Sequence, residues 1–105
     1  MISRIWHGWT TPGNADAYEE LLRTEIFTHI VGRGISGFEN IQLLRRDAEA
    51  EVEFVTIMRF ESLAAVREFA GDDYEVAVVP PSAQALLARY DPRSTHYMVR
   101  EEQGK

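Results

Sequence analysis

Glu51–Gly71, EVEFVTIMRFESLAAVREFAG, decides the fold. Val52, Phe54, Thr56, Met58 and Phe60 share one side of an extended chain, and Glu53, Val55, Ile57 and Arg59 share the other. Ser62 stands at a helix N-cap position. Leu63, Val66, Phe69 and Ala70 follow at helical spacing, and Gly71 supplies the stop. The stretch is a strand running into a helix. It fixes architecture and carries no catalytic motif.

Upstream, Ile2–Trp9 is the first expected strand. Ile2, Arg4, Trp6 and Gly8 lie on one face, with Ser3, Ile5, His7 and Trp9 on the other. Thr10-Thr11-Pro12-Gly13 ends it, and Asn14 is the expected cap of a helix bearing Tyr18, Leu21, Leu22, Ile26, His29 and Ile30 on one stripe. The glycines around Arg33 stop that helix. Phe38–Asp47 is the second strand, turning through Ala48–Ala50 into the third. Downstream, Pro80-Pro81 opens a short helix from Ser82 to Arg89 or Tyr90, stopped by Asp91-Pro92. Thr95–Arg100 is the last strand, and residues 101–105 form a frayed tail.

The order is strand, helix, strand, strand, helix, strand: an α+β, ferredoxin-like βαββαβ domain over residues 1–100, with an antiparallel four-stranded sheet and helices on one face. The uncovered face still carries Ile5, Trp9, Ile41, Leu43, Val55 and Ile57, or their opposite-parity partners. Apolar area on that scale meets another surface, so the sheet is expected to pack on a second copy as a homodimer.

Composition narrows the function. A chain of 105 residues, 45% hydrophobic, holds one core. Its net charge of −6 argues against a nucleic-acid groove. No cysteine removes disulfides, thiolate metal sites and a Cys nucleophile. No apolar run approaches the ~20 residues of a membrane span, and MISRIWHGWTTPG lacks a signal-peptide core, which makes the cytoplasm the expected location. The three histidines show no metal-ligand spacing, and there is no phosphate loop or nucleophile elbow. No metal and no cofactor are expected.

ISRIWHGWT with NADAYEELLR, GISGFENIQLLRR, FVTIMRFESLAAVREFAG and YEVAVVPPSAQALLARYDPRSTHY together resemble the antibiotic biosynthesis monooxygenase family. The resemblance implies a dimeric α/β barrel with a small-molecule pocket between each sheet and its own helices. It also implies one of two activities: cofactor-independent oxygenation of phenolic polyketides to quinones, or haem degradation. The haem-degrading branch carries an Asn on the first strand, a Trp on the helix after strand three and a His further on. Here the first strand reads Trp6-His7, the helix carries Phe69, and residues 72–95 contain no His.

A cofactor-free oxygenase needs a deprotonated, electron-rich substrate, hence a base or a cation near its hydroxyl and aromatic walls around its ring. His7, Arg59 and Tyr74 are the candidate catalytic set, with Trp6, Trp9, His29, Phe54 and Met58 as candidate substrate-binding residues. Each has a plainer reading. His7 also suits a hydrogen-bonded place on a dimer face, Arg59 an ion pair, His29 the core edge, and the two tryptophans burial. A non-catalytic ligand-binding or stress-associated dimer, or a haem binder using His7, His29 or His96, are the competing functions.

Overall fold

The structure is a computed structural model describing all residues, Met1–Lys105. Its strands are β1 (Ile2–Thr10), β2 (Phe38–Asp47), β3 (Val52–Phe60), β4 (Arg89–Tyr90) and β5 (Thr95–Met98). Its helices are α1 (Ala15–Leu21), α2 (Phe27–Gly32), α3 (Leu63–Ala70) and the single turn α4 (Pro81–Gln84). The sheet runs β2-β3-β1-β4, with β5 also paired to β1, and every pairing is antiparallel. This is the ferredoxin-like order expected, with its fourth strand in two pieces.

The split corrects the expected helix from Ser82 to Tyr90. Helix survives only over Pro81–Gln84, because Arg89 and Tyr90 pair with Trp9 and Gly8 instead. Trp9 holds the Arg89 guanidinium 3.8 Å from its ring centre, and Trp6 packs on Tyr90. Strand pairing with Gly8 and Trp9, together with contacts to two tryptophan rings, outweighs local helix propensity. The last strand likewise ends at Met98 rather than Arg100.

Two further expectations change. Asn14 does not cap with its side chain; it closes a 3-10 turn over Pro12–Asn14, and its Nδ2 donates to the Leu86 carbonyl at 3.3 Å. The first helix is also not uniform. Leu22–Ile26 between α1 and α2 is π-helical, and Thr24 Oγ1 there donates back to the Glu20 carbonyl at 2.8 Å. Such a wide turn bulges the helix, and it recurs at functional sites.

α3 forms as expected: Ser62 Oγ accepts from the Ala65 amide at 3.2 Å, and Gly71 ends the helix at φ 91°. The alternation in β1 and β3 also holds. Trp6, Thr10, Val52, Phe54, Met58 and Phe60 are buried beneath the helices, while Ile5, His7, Val55 and Ile57 are half-buried on the uncovered face. In β2 an irregularity between Phe38 and Asn40 resets the parity. Ile41 and Leu43 therefore lie beside Met58 and Thr56 on the helix side, and Leu44, beside Val55, lies on the uncovered face.

The core forms two clusters. One joins Ala15, Tyr18, Leu22, Val52, Phe54 and Ala83; the other joins Ile35, Met58, Phe60, Ala65, Val66 and Phe69. Trp6 lies between them along β1. Its indole covers Gly8 so closely that a Cβ there would sit 2.6 Å from Cη2 of Trp6 and 3.1 Å from Leu87. G8A should therefore cost about 1–3 kcal/mol of stability in urea unfolding, as overpacking does. An unchanged midpoint would contradict this placement of Trp6.

Candidate functional site

A chamber of about 60 Å³ lies between the two core clusters. Arg4, Trp6 and Thr56 face it from the sheet, with Ile41 and Met58. Tyr18, Leu22 and Ile26 close it from the first helix, Phe69 from α3, and Val78–Pro80 with Ala83 and Ser94 from the C-terminal segment. A larger outer groove of about 390 Å³ shares Ile26, Ile30, Phe69, Val78 and Pro80 with the chamber. Glu25, His29, Arg33 and Ser82 add polar groups to that groove. Chamber and groove thus share walls, and the π-helical turn at Leu22–Ile26 borders both.

Arg4 is the one charged residue of the inner chamber and is only 3% exposed. β1 places it there because it shares the parity of Trp6 and Gly8. Its Nη1 donates to the Tyr74 carbonyl and approaches His96 Nε2 at 3.0 Å; its Nη2 donates to the Val76 carbonyl at 3.1 Å. All these acceptors are neutral groups. Burial lowers its pKa to about 10, which leaves it cationic near neutrality. Its guanidinium also lies 5.4 Å from the Phe69 ring centre, as does that of Arg33.

Because the Arg4 N–H must donate, His96 Nε2 accepts, so the imidazole is neutral and carries its proton on Nδ1. That Nδ1 is buried without a partner. Burial first, and then the charge of Arg4, holds the His96 pKa below its ordinary 6.5. Tyr18 is buried to 1% exposure, and desolvation raises its pKa, so it stays a protonated hydroxyl. The chamber therefore offers a guanidinium and the hydroxyls of Tyr18, Thr56 and Ser94, set in apolar walls with no carboxylate.

The residues singled out in the sequence fall in three places. Trp6 and Met58 line the chamber, and His29 lines the outer groove. Phe54 is wholly buried in the core against Tyr18, with ring centres 4.9 Å apart. His7, Trp9 and Arg59 lie on the uncovered sheet face, away from the chamber. There His7 Nδ1 donates to Glu53 at 2.8 Å and stacks on Trp9. Arg59 grips Glu102 with two bonds of 2.9 Å, which ties down part of the expected frayed tail. Tyr74 enters through its backbone carbonyl on Arg4 and its ring on His96, at 5.2 Å. His7, Arg59 and Tyr74 are thus not brought together. Sequence reasoning missed Arg4, Tyr18, Thr56 and Ser94. A signal for Arg4 existed, namely a charge at the parity of Ile2 and Trp6.

A buried cation among aromatic walls thus lies beneath one side of a ferredoxin-like sheet in an α+β protein. Solved structures share its fold. The chain aligns over 99% of its length with 97% of a Bacillus cereus protein assigned as an antibiotic biosynthesis monooxygenase, at TM-score 0.69 and 16% identity. It aligns over 99% of its length with 98% of SnoaB, a cofactor-independent oxygenase from Streptomyces nogalater, at TM-score 0.62 and 16% identity. MhuD, a haem degrader from Mycobacterium tuberculosis with two haems in its active site, aligns over its full length with 99% of this chain, at TM-score 0.59 and 19% identity. No protein-family model matches the chain, and no curated protein matches it in sequence. The chain has the fold of the antibiotic biosynthesis monooxygenase structures.

The residues present do not fit haem in the chamber. A tetrapyrrole is far larger than 60 Å³, and His96 Nε2 is held by Arg4. No group of three or more His, Asp or Glu side chains comes together as a metal site, and no helix is long and apolar enough to cross a membrane.

The site makes a titration prediction. His96 is favoured neutral in the fold, so the unfolded chain takes up its proton first as pH falls. The stability His96 contributes should be complete above its ordinary 6.5 and should be lost as pH falls through the lower folded value. By NMR, its imidazole should titrate below 6.5, and H96Q should flatten the fall of stability on acidification below pH 6.5. A midpoint above 6.5 would contradict the neutral, buried assignment.

Proposed function

We propose that this chain is a cytoplasmic homodimeric α/β-barrel protein that binds a planar aromatic molecule in the sheet–helix cavity and oxygenates it without a cofactor. The observation that carries the reading is the chamber between sheet and helices with Arg4 as its lone charge and Tyr18 as a neutral donor. Triplet oxygen reacts poorly with closed-shell organics, so the substrate must supply electrons as an anion. A positive charge in a low-dielectric chamber favours that anion, and neutral hydroxyl donors can follow its charge as it moves onto oxygen. The reaction that fits is oxidation of a ring methylene whose tautomer is a phenol. Loss of a proton to solvent gives the delocalised anion, and its carbon joins O₂ to give a peroxide anion that takes a proton back to form a hydroperoxide. Elimination of water then breaks the O–O bond and leaves a carbonyl. One methylene and one O₂ give one quinone-type carbonyl and one water, with all four electrons drawn from the substrate.

In this reading Phe69, shared by chamber and groove, is a ring-binding wall, Trp6 and Met58 line the space around the ionised oxygen, and Tyr74 positions Arg4. His7, Trp9 and Arg59 serve the surface that meets the second copy. With Ile5, Leu44, Val55, Ile57 and Tyr97 that face carries more apolar area than a solvent-facing sheet needs. Aerobic incubation with a panel of anthrone-type phenols should consume O₂ and release the quinone, one O₂ per product. Binding of a phenol with no oxygen uptake by any member would leave the non-catalytic binding reading in its place. Light scattering should give twice the chain mass of 12.0 kDa, and V55E should shift it to 12.0 kDa. A wild-type monomer would remove the dimer from the account.

A further inference from the structure

Most of the chain's paired arginines hold carboxylates. Arg45 reaches Asp16, Glu19 and Asp47; Arg59 reaches Glu102; Arg89 reaches Glu51; Arg93 reaches Asp73 and Glu75. All four are more exposed than Arg4. The most deeply buried arginine is thus the one held only by two carbonyls and a neutral imidazole, in a chain of net charge −6 with carboxylates to spare. Burying a charge without a counter-charge is costly, and removing the cost takes either a partner or a neutral replacement. Neither is supplied by the chain.

Guanidinium has five N–H donors, and three are engaged here. Both on Nη1 are taken, by Tyr74 and His96, and one on Nη2 by Val76. The Nε donor and the second Nη2 donor remain, adjacent on the same group and on a residue that lines the chamber. Two neighbouring N–H groups grip an oxyanion well. The chamber is too small for a fused ring but is of the size of a compact headgroup, and the outer groove that shares its walls holds the remaining volume.

We infer that the ligand is a planar organic acid taken up as its anion, its ionised oxygen on Nε and Nη2 of Arg4. Its ring then lies outward against Ile26, Ile30, Phe69 and Pro80. The inference rests on the reading of the cavity as the ligand site, and adds the paired contact that recognises the anion and the place of its ring.

The test is a titration of the full chain with two matched pairs, followed by calorimetry. One pair is naphthalene carboxylate and naphthalene carboxamide; the other is para-nitrophenolate and para-nitroanisole. The pairs separate a carboxylate from a phenolate as the preferred oxyanion. Wild type should bind at least one anion about tenfold or more tighter than its neutral isostere, as a charge-assisted contact gives. R4Q should erase that preference and leave the affinity for the neutral isostere unchanged. Should R4Q fail to fold, R4K keeps a cation without the paired donors, and its preference should fall short of that of wild type. Neutral isosteres binding as tightly as both anions would overturn the inference while sparing the cavity. Binding of none of the four would overturn the cavity reading and the inference with it.

Discussion

The structure turns on a guanidinium that is buried and has no carboxylate. Arg4 sits on the helix-facing side of the central strand, where a solvated ion pair has no room. It can stay charged only by collecting neutral dipoles. The carbonyls of Tyr74 and Val76 provide two, and the His96 lone pair a third. This gives an irregular stretch its place. Residues 72–80 form no regular element, yet they are drawn over the sheet because their carbonyls answer Arg4. Arg93 fastens the same stretch from outside through Asp73 and Glu75, and Val76 bridges to Arg93 in the backbone. The chamber wall at Val78–Pro80 follows from that anchoring.

The sheet around Arg4 is buried on one side and half-buried on the other, and the two sides do different work. Beneath the helices, Phe54, Phe60 and Val66 exclude water almost completely and pin the architecture. The gap between the two core clusters is where side chains stop meeting, and there the chamber opens. On the other side, His7, Glu53, Trp9 and Arg89 form a chain of polar and stacked contacts among apolar neighbours. A wide π turn in the first helix matters because it borders chamber and groove together.

Much of this was legible before any coordinates. Period-two alternation in Val52–Phe60, the Ser62 cap and the Gly71 stop describe β3 and α3 as they are. The parity of β1 correctly separated Arg4 and Trp6 from His7 and Trp9. Parity alone does not tell which side the helices cover, and so it does not set Arg4 apart from His7 and Arg59. The broken fourth strand was hidden for a different reason. Ser82–Tyr90 has helical spacing, but its end is claimed by Gly8 and Trp9, some eighty residues away in sequence. The irregularity after Phe38 and the π turn likewise come from tertiary fit that no local pattern encodes.

The proposed function places ligand beneath the helices at Arg4 and not on the open sheet face. A crystal structure of the chain with a bound planar aromatic acid decides between these two placements. The ionised oxygen should lie within hydrogen-bonding distance of Arg4 Nε and Nη2, and the ring against Phe69 and Ile26. A ligand seated instead on the sheet face beside His7, Trp9 and Arg59, with the chamber unchanged, would contradict it.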